Sequence, residues 1–249
     1  MYAAFNSILV AMDGREGGVD AAALAGVLAG TDADVAIAHV LTAREGRAPI
    51  AATADTPVLT TRAPSVAAGL HRLVEEHGAD LLAIGAHHHG HLSRDHTRAA
   101  LRDLPCAIAV APAGYASRPR RPIRAVGVGF VDDRAGRAVL DTARGLAWQL
   151  GAEVHATIVV GPSNWESAES GMGWRAAAAA RRMAEIPGVH GVAVDGRPQQ
   201  ALGALSRTVD LLVVGSRHHP VARRLRLSDV AEGLSHSSRC PLLVVPHGA

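Results

Sequence analysis

A long-period internal repeat constrains this chain more than any other feature of its sequence. "SILVAMDG" near the start returns as "AVGVGFVDD", and "DADVAIAHV" returns as "GAEVHATIVV". "GADLLAIGAHHHG" returns as "TVDLLVVGSRHHP", and "LPCAIAVAPAG" as "RCPLLVVPHGA", in the same order. The landmarks Gly85 and Gly215 lie 130 residues apart. A period that long means two copies of one domain, since solenoids repeat at a few tens of residues. The predicted organisation is a first domain over 1–114, a linker over 115–124 and a second domain over 125–249. The join "AGYASRPRRPIR" is rich in Pro, Arg and small residues, which favours an extended, solvated segment.

Within each copy, short aliphatic runs alternate with helical patterns. Ile8–Met12, Val35–Val40, Leu81–Gly85 and Ala107–Ala111 are nearly continuous apolar runs, as expected for strands buried on both faces. Gly18–Leu28 and Ser65–His77 carry helical spacing between them. The second copy predicts strands near 125–129, 154–160, 189–194, 211–215 and 242–245. Its helices fall near 135–150, 175–185, 199–207 and 229–238. The first copy lacks a counterpart of the second helix, and the segment from Val40 to Pro57 reads as a loop. This alternation predicts an α/β fold of two flavodoxin-like or Rossmann-like domains. Each would be a five-stranded parallel sheet with helices on both faces.

Composition narrows the function. The 25 basic residues other than histidine are all arginine, against 23 acidic ones, for a formal net charge of +2. Such a balance predicts no nucleic-acid binding, and the absence of lysine removes Schiff-base and P-loop chemistry. Cys106 and Cys240 each neighbour a proline ahead of an apolar run, and read as buried, reduced thiols. No apolar run reaches the roughly 18–20 residues that span a bilayer, and no secretory signal is visible, so a cytoplasmic protein is expected.

Four motifs in order, twice, resemble the universal stress protein family. They are "ILVAMDG"; "AHV" closing the second strand; "ADLLAIG" and "VDLLVVG"; and the ending "SDVAEGLSHSSRCPLLVVP" with its weaker echo "DHTRAALRDLPCAIAVAP". The resemblance implies an ATP site in which an Asp after the first strand holds the adenine and ribose. A loop of the form Gly, two residues, Gly, nine residues, Gly, Ser/Thr would cradle the phosphates at a helix N-terminus. On that pattern the nucleotide contacts, if retained, would come in the first copy from Ala11, Met12, Asp13, Val40, Gly85, His88 and Gly90. In the second they would come from Gly129, Val160, Gly215, Ser216, Arg217 and Ser228. Both copies depart from the pattern. His88 and His218 replace the second glycine, Arg94 and Ser228 the third, and Asp95 and Asp229 the Ser/Thr. Val131 stands where the first strand should deliver its Asp, with Asp132 one step late. A carboxylate at the start of the last helix suits the helix dipole but repels phosphate, so Asp95 and Asp229 are candidates for blocking the pocket. "DVAE" from Asp229 resembles a capping box. Arg217, Arg223, Arg224 and Arg226 offer substitute anion contacts.

The histidines of "GAHHHGHLSRDH" read as a phosphate loop that has lost its glycines. Consecutive side chains do not converge on one ion, so no metal site is predicted. No "GxSxG", "HExxH" or "GxxxxGK[ST]" motif is present, and no enzyme is predicted beyond slow incidental ATP hydrolysis. Two functions follow. One is a non-catalytic stress-response protein with degenerate nucleotide pockets, no cofactor and an unknown protein partner. The other is an ATP or adenine-nucleotide sensor with one live site, in the first copy. The resemblance further implies that Ala107–Ala111 and Leu242–Val245 pair within the chain as a pseudo-dimer, with a homodimer of the whole chain as the open alternative.

Overall fold

The structure is a computed structural model. It describes residues 5–14, 16–43, 56–86, 104–119, 121–160, 172–219, 222–226 and 229–246, with the side chains of 172–175, 217–219 and 222–226 left aside. The strands are β1 (Ser7–Ala11), β2 (Asp34–Leu41), β3 (Val58–Arg62), β4 (Leu81–Gly85), β5 (Ala107–Ala111), β6 (Ala125–Phe130), β7 (Glu153–Val160), β8 (Val189–Asp195), β9 (Leu211–Gly215), β10 (Arg217–His219), β11 (Ala222–Arg226) and β12 (Leu242–Val245). The helices are α1 (Glu16–Leu28), α2 (Val66–His77), α3 (Arg134–Leu150), α4 (Met172–Ala184), α5 (Pro198–Leu205) and α6 (Asp229–Ser237).

Ten strands form one sheet in the order β3-β2-β1-β4-β5-β12-β9-β6-β7-β8. Every neighbouring pair is parallel except the central one. There β12 runs antiparallel to β5, with Leu242 opposite Val110, Leu243 opposite Ala109 and Val244 opposite Ile108. The expected five-stranded sheets are thus fused into a continuous ten-stranded one, and read outward from the seam the two halves have the same strand order. Fusion removes two exposed strand edges, which would otherwise present unpaired N–H and C=O groups to solvent.

β4, β5 and β12 are buried along their whole length. Alternate residues feed two cores. On one face Ile8, Val10, Leu81, Ala109, Val128, Leu211 and Leu243 meet Leu24 and Leu28 of α1, Leu146 of α3 and Met183 of α4. On the other Leu9, Leu82, Ile108, Leu212 and Val244 meet Leu70 and Leu73 of α2, Leu202 of α5 and Leu234 of α6. Each core runs across both halves. Right-handed crossovers put helices on opposite faces either side of the strand that starts each half.

The two halves share small devices as well. Asp80 accepts from the backbone N–H groups of Asn6 (2.8 Å) and Ser7 (3.1 Å) at the start of β1. Asp210 does the same for Arg124 (2.8 Å) and Ala125 (3.0 Å) at the start of β6. Helix ends follow the chemistry of their sequences. Ser65 caps α2 through Ala68 N–H and Asp133 caps α3 through Gly136 N–H. Gly78 (φ 60°) and Gly151 (φ 65°) close the same helices in the left-handed region that glycine tolerates.

Three expectations are corrected. β3 was not recognised as a strand: its burial alternates between exposed and half-buried, and "VLTTR" lacks the apolar run of an inner strand. The chain after Gly215, expected to be a loop, forms the antiparallel hairpin β10–β11 with Arg217 opposite Arg226 and His219 opposite Ala222. The join is largely exposed but not a free, extended linker. Residues 113–117 turn, and Ile123 is buried. The carboxylate of Asp20, itself 4% exposed, accepts from Gly114 N–H (2.8 Å) and Ala116 N–H (2.7 Å). Arg118 also donates to the carbonyls of Arg239 and Ala113. The segment from Val40 to Pro57, which reads as a loop, lies largely outside the described residues, as does most of the histidine-rich stretch.

A buried carboxylate bonded to two backbone amides is costly to remove, because both donors are left unsatisfied. Asp20→Ala is expected to lower the unfolding free energy by roughly 2–4 kcal/mol, measured by chemical denaturation. It should also open the 113–118 turn to limited proteolysis.

Candidate functional site

In open α/β sheets, ligands sit beyond the C-terminal ends of the strands where the strand order reverses. That point lies between β1 and β4 in the first half and between β6 and β9 in the second. Strand register matches the two places residue by residue. Ile8 pairs with Val35 and Leu81, and Val126 pairs with Val154 and Leu211. Counting forward, Ala11 corresponds to Gly129, Met12 to Phe130 and Asp13 to Val131.

In the first half Ala11 ends β1, and Met12 donates its N–H to Ala38 O at 3.1 Å, keeping the chain against β2 for one more step. Asp13 follows, half-buried, before Gly14 turns with φ 80°. Val40 is 8% exposed and packs directly under Gly69 of α2, so its side chain serves the core. Gly85 ends β4. A Cβ there would collide with the carbonyl of Gly17, so the first turn of α1 crosses this strand end at backbone contact. That packing is a sufficient reason for glycine at 85. Gly18 of α1 packs against Met12, less tightly, where a Cβ would lie 3.1 Å from the Met12 side chain. The structure therefore brings Ala11, Met12, Asp13 and Gly85 together around the start of α1. His88, Gly90, Arg94 and Asp95 lie outside the described residues.

The second half is arranged differently at the same place. Val131 occupies the position of Asp13, with 61% of its surface exposed. The carbonyl of Val131 lies against Gly136, the counterpart of Gly18, where a side chain would not fit. Asp132 turns aside to Arg182 of α4 (2.8 Å) and Arg137 of α3 (3.7 Å). Asp133 is engaged as the cap of α3, 2.7 Å from Gly136 N–H. Gly129 lies beneath Leu202 and Val214, which fill the space a side chain would take. Val160 ends β7, beside Asp195 of β8. Gly215 ends β9. Ser216 is buried and its N–H bonds Val245 O at 2.9 Å, which ties this strand end to β12. Arg217 opens the β10–β11 hairpin, and Ser228 lies outside the described residues. Asp229 is the first helical residue of α6 and is exposed, with Glu232 in the same turn. It is placed inside the helix, where the sequence comparison had it as the cap.

Sequence reasoning missed the role of Arg182. The helix "MGWRAAAAARRM" placed arginines near its C-terminal end, but only the fold brings one to Asp132, 50 positions earlier. A shallow groove of about 600 Å³ lies at the opposite, N-terminal end of the second-half strands, lined by Ile123, Arg124, Leu150 and Glu153. It shares no residue with the strand ends described above.

Among the described residues no group of three His, Cys, Asp or Glu side chains is disposed to hold a metal ion. His155 and His190 stack across β7 and β8 with ring centroids 5.1 Å apart. Their Nε2 atoms lie 3.6 and 3.9 Å from one carboxylate oxygen of Glu153, a charge-pairing arrangement when either ring is protonated. No described helix is long and apolar enough to cross a membrane.

Both thiols are free and buried. Burial pushes Cys106 up from the usual 9.0 to about 12, with the charge of Asp80 adding to it. Burial likewise pushes Cys240 up to about 11, against the Ser238 hydroxyl, which lowers it. Neutral thiols react slowly. At pH 8 a thiol reagent should label neither cysteine in the folded protein and both after denaturation. Because the folded-state values are raised, this contribution to stability is complete below pH about 9 and is lost as pH rises from there towards 12. Unfolding midpoints measured across pH 8 to 11 check the sign.

Comparison with known proteins agrees with this geometry. Residues 123–246 match the model of the universal stress protein family. No curated protein matches the sequence. Among solved structures, a universal stress protein from Archaeoglobus fulgidus DSM 4304 superposes with a TM-score of 0.67 at 14% identity, covering 100% of both chains. A functionally unknown protein from Pseudomonas aeruginosa PAO1 gives 0.67 at 16% identity, over 98% of this chain and 94% of that one. The cytoplasmic domain of a prokaryotic cation chloride cotransporter gives 0.58 at 11% identity, over 96% and 94%. Likenesses at this identity speak to fold alone, and the third shows how widely the fold is used. The chain thus carries a universal stress protein domain over residues 123–246.

Proposed function

We propose that the protein is a non-catalytic, cytoplasmic universal stress protein of two tandem domains, over 1–114 and 125–249 about a join at 115–124. It works through a protein partner, and its second half does not hold ATP in the manner of glycine-loop members. The tandem reading draws on the shared strand order, on the paired carboxylates Asp80 and Asp210, and on the paired glycines Gly18 and Gly136.

One observation carries the claim about the second half. At the position where Asp13 stands in the first half there is an exposed valine, and the next carboxylate, Asp132, is engaged by Arg182 at 2.8 Å. The pair is partly exposed and contributes little stability, but it neutralises and turns away the nearest acid that could accept from a ribose. The hairpin β10–β11 adds to this. Backbone groups paired in a ladder are not free to cradle phosphate. The exposed Asp229 places negative charge at the N-terminus of α6, where a phosphate would otherwise gain from the helix dipole.

The second reading, an adenine-nucleotide site in the first half, is favoured by Asp13. It keeps the place at the end of β1 and is followed by a glycine in the left-handed region. Any hydrolysis there would be slow and incidental.

Mass spectrometry of small molecules released on denaturing the untagged protein, with calorimetry in millimolar ATP, separates these readings. The expected result is an empty preparation and no heat. One adenine nucleotide per chain, lost in Asp13→Ala, would establish the second reading. Two per chain, or one that survives Asp13→Ala, would overturn the proposal for the second half.

A further inference from the structure

The ten-stranded sheet ends in two edges, β3 and β8, and their chemistry differs. At β3, Arg72 of α2 donates to the carbonyl of Arg62 (3.2 Å) and to the Thr61 hydroxyl (3.5 Å). A charged side chain bound to an edge carbonyl is a standard guard against strand addition. β8, "VHGVAVD", has no such guard among the described residues. It carries no Pro, Lys or Arg, and its one carboxylate, Asp195, is its last residue. Its outer edge pairs with no described strand.

The side chains of β8 sort cleanly by face. Gly191 lies against Met183 of α4, so the odd-numbered residues face the core beneath α4. His190, Val192 and Val194 face the other way, where Val192 is 52% exposed. Val192 is also the midpoint of the strand, three residues from Val189 and three from Asp195. An antiparallel pairing of β8 with the same strand of a second molecule, centred on Val192, engages all seven residues. It sets Val192 against its own copy, His190 against Val194, Gly191 against Ala193 and Val189 against Asp195. On the exposed face Val192 meets its own copy and Val194 meets the His190 ring, and no like charges are directly opposed. The chain already extends its sheet in this way at β5 and β12.

We propose that β8 is a homodimer interface, in which two copies of this chain join edge to edge, antiparallel about Val192, into a sheet that runs through both molecules. A seven-residue edge buries less than a standard interface, so the dimer is expected to be weak, with a dissociation constant on the order of micromolar.

Sedimentation velocity of the untagged full chain from micromolar to several hundred micromolar tests for the dimer. Val192→Lys places the missing guard at an exposed position. It should weaken association roughly tenfold or more while leaving the thermal midpoint unchanged. Val192→Cys tests the register. Directly opposed residues of antiparallel strands have Cα atoms about 4.5–5.5 Å apart, within the roughly 4.4–6.8 Å a disulfide spans. Mild oxidation should therefore link two chains through residue 192, with Cys106 and Cys240 buried and silent. Val58→Cys on the guarded edge should give no comparable link. A monomer over the whole range would overturn the proposal and leave the edge to a strand of another protein or to solvent. So would a dimer indifferent to Val192→Lys, or a Val192→Cys chain that does not cross-link.

Discussion

The antiparallel contact between β5 and β12 is the interaction on which the rest of the structure depends. Each half alone would present a wholly apolar strand at its edge: "AIAVA" in one and "LLVV" in the other. Such edges invite aggregation. Pairing them satisfies their backbone groups and buries their side chains on both faces. It also makes the hydrophobic layers continuous, so that α1 and α3, from different halves, share one core. Gln149 at the end of α3 donates to the carbonyls of Leu28 and Ala29 at the end of α1, closing a helix terminus across that boundary.

The same seam constrains the join. Since the last strand of the first half and the last of the second lie side by side, the chain leaving β5 must pass β12 and β9 before β6 begins. Asp20 holds the turn that starts this passage, and it does so from α1, whose first residues press on Gly85. The candidate site of the first half and the join are therefore held by one face of one helix turn, since Gly17 and Asp20 lie three residues apart. In the second half the equivalent loop after β6 is closed by other means: Gly136 against the Val131 carbonyl, Asp133 as a cap, Asp132 on Arg182. Two copies of one backbone plan thus meet different side-chain chemistry where a ligand would bind.

Much of this was legible in the sequence. Buried strands write continuous aliphatic runs, so every inner strand of the large sheet and every described helix stood out. β3 did not, because "VLTTR" has only two apolar residues, whereas the other edge strand, β8, still shows Val and Ala at most positions. The β10–β11 hairpin did not, because "RHHPVARRLR" is polar and charged, and its pairing lies in the backbone. Asp13 was readable from its motif. The engagement of Asp132 was not, because Arg182 arrives from a different element. Gly85 reads in the sequence as a phosphate glycine, and the structure supplies a packing reason as well, visible only once α1 is laid across β4.

By itself the sequence determined the alternation of strand and helix, the duplication of landmark motifs and the burial of both thiols. Those follow from local periodicity and hydrophobicity, which each segment carries within itself. The tertiary structure decided what depends on distant segments meeting. It set the register of the central antiparallel pair whose pairing the resemblance implies, tied the join to Asp20, and engaged Asp132 on an arginine of another helix. It also left one sheet edge guarded by an arginine and the other without such a guard among the described residues. Hydrogen bonds and ion pairs of this kind act over a few ångströms, and sequence distance gives no measure of that proximity.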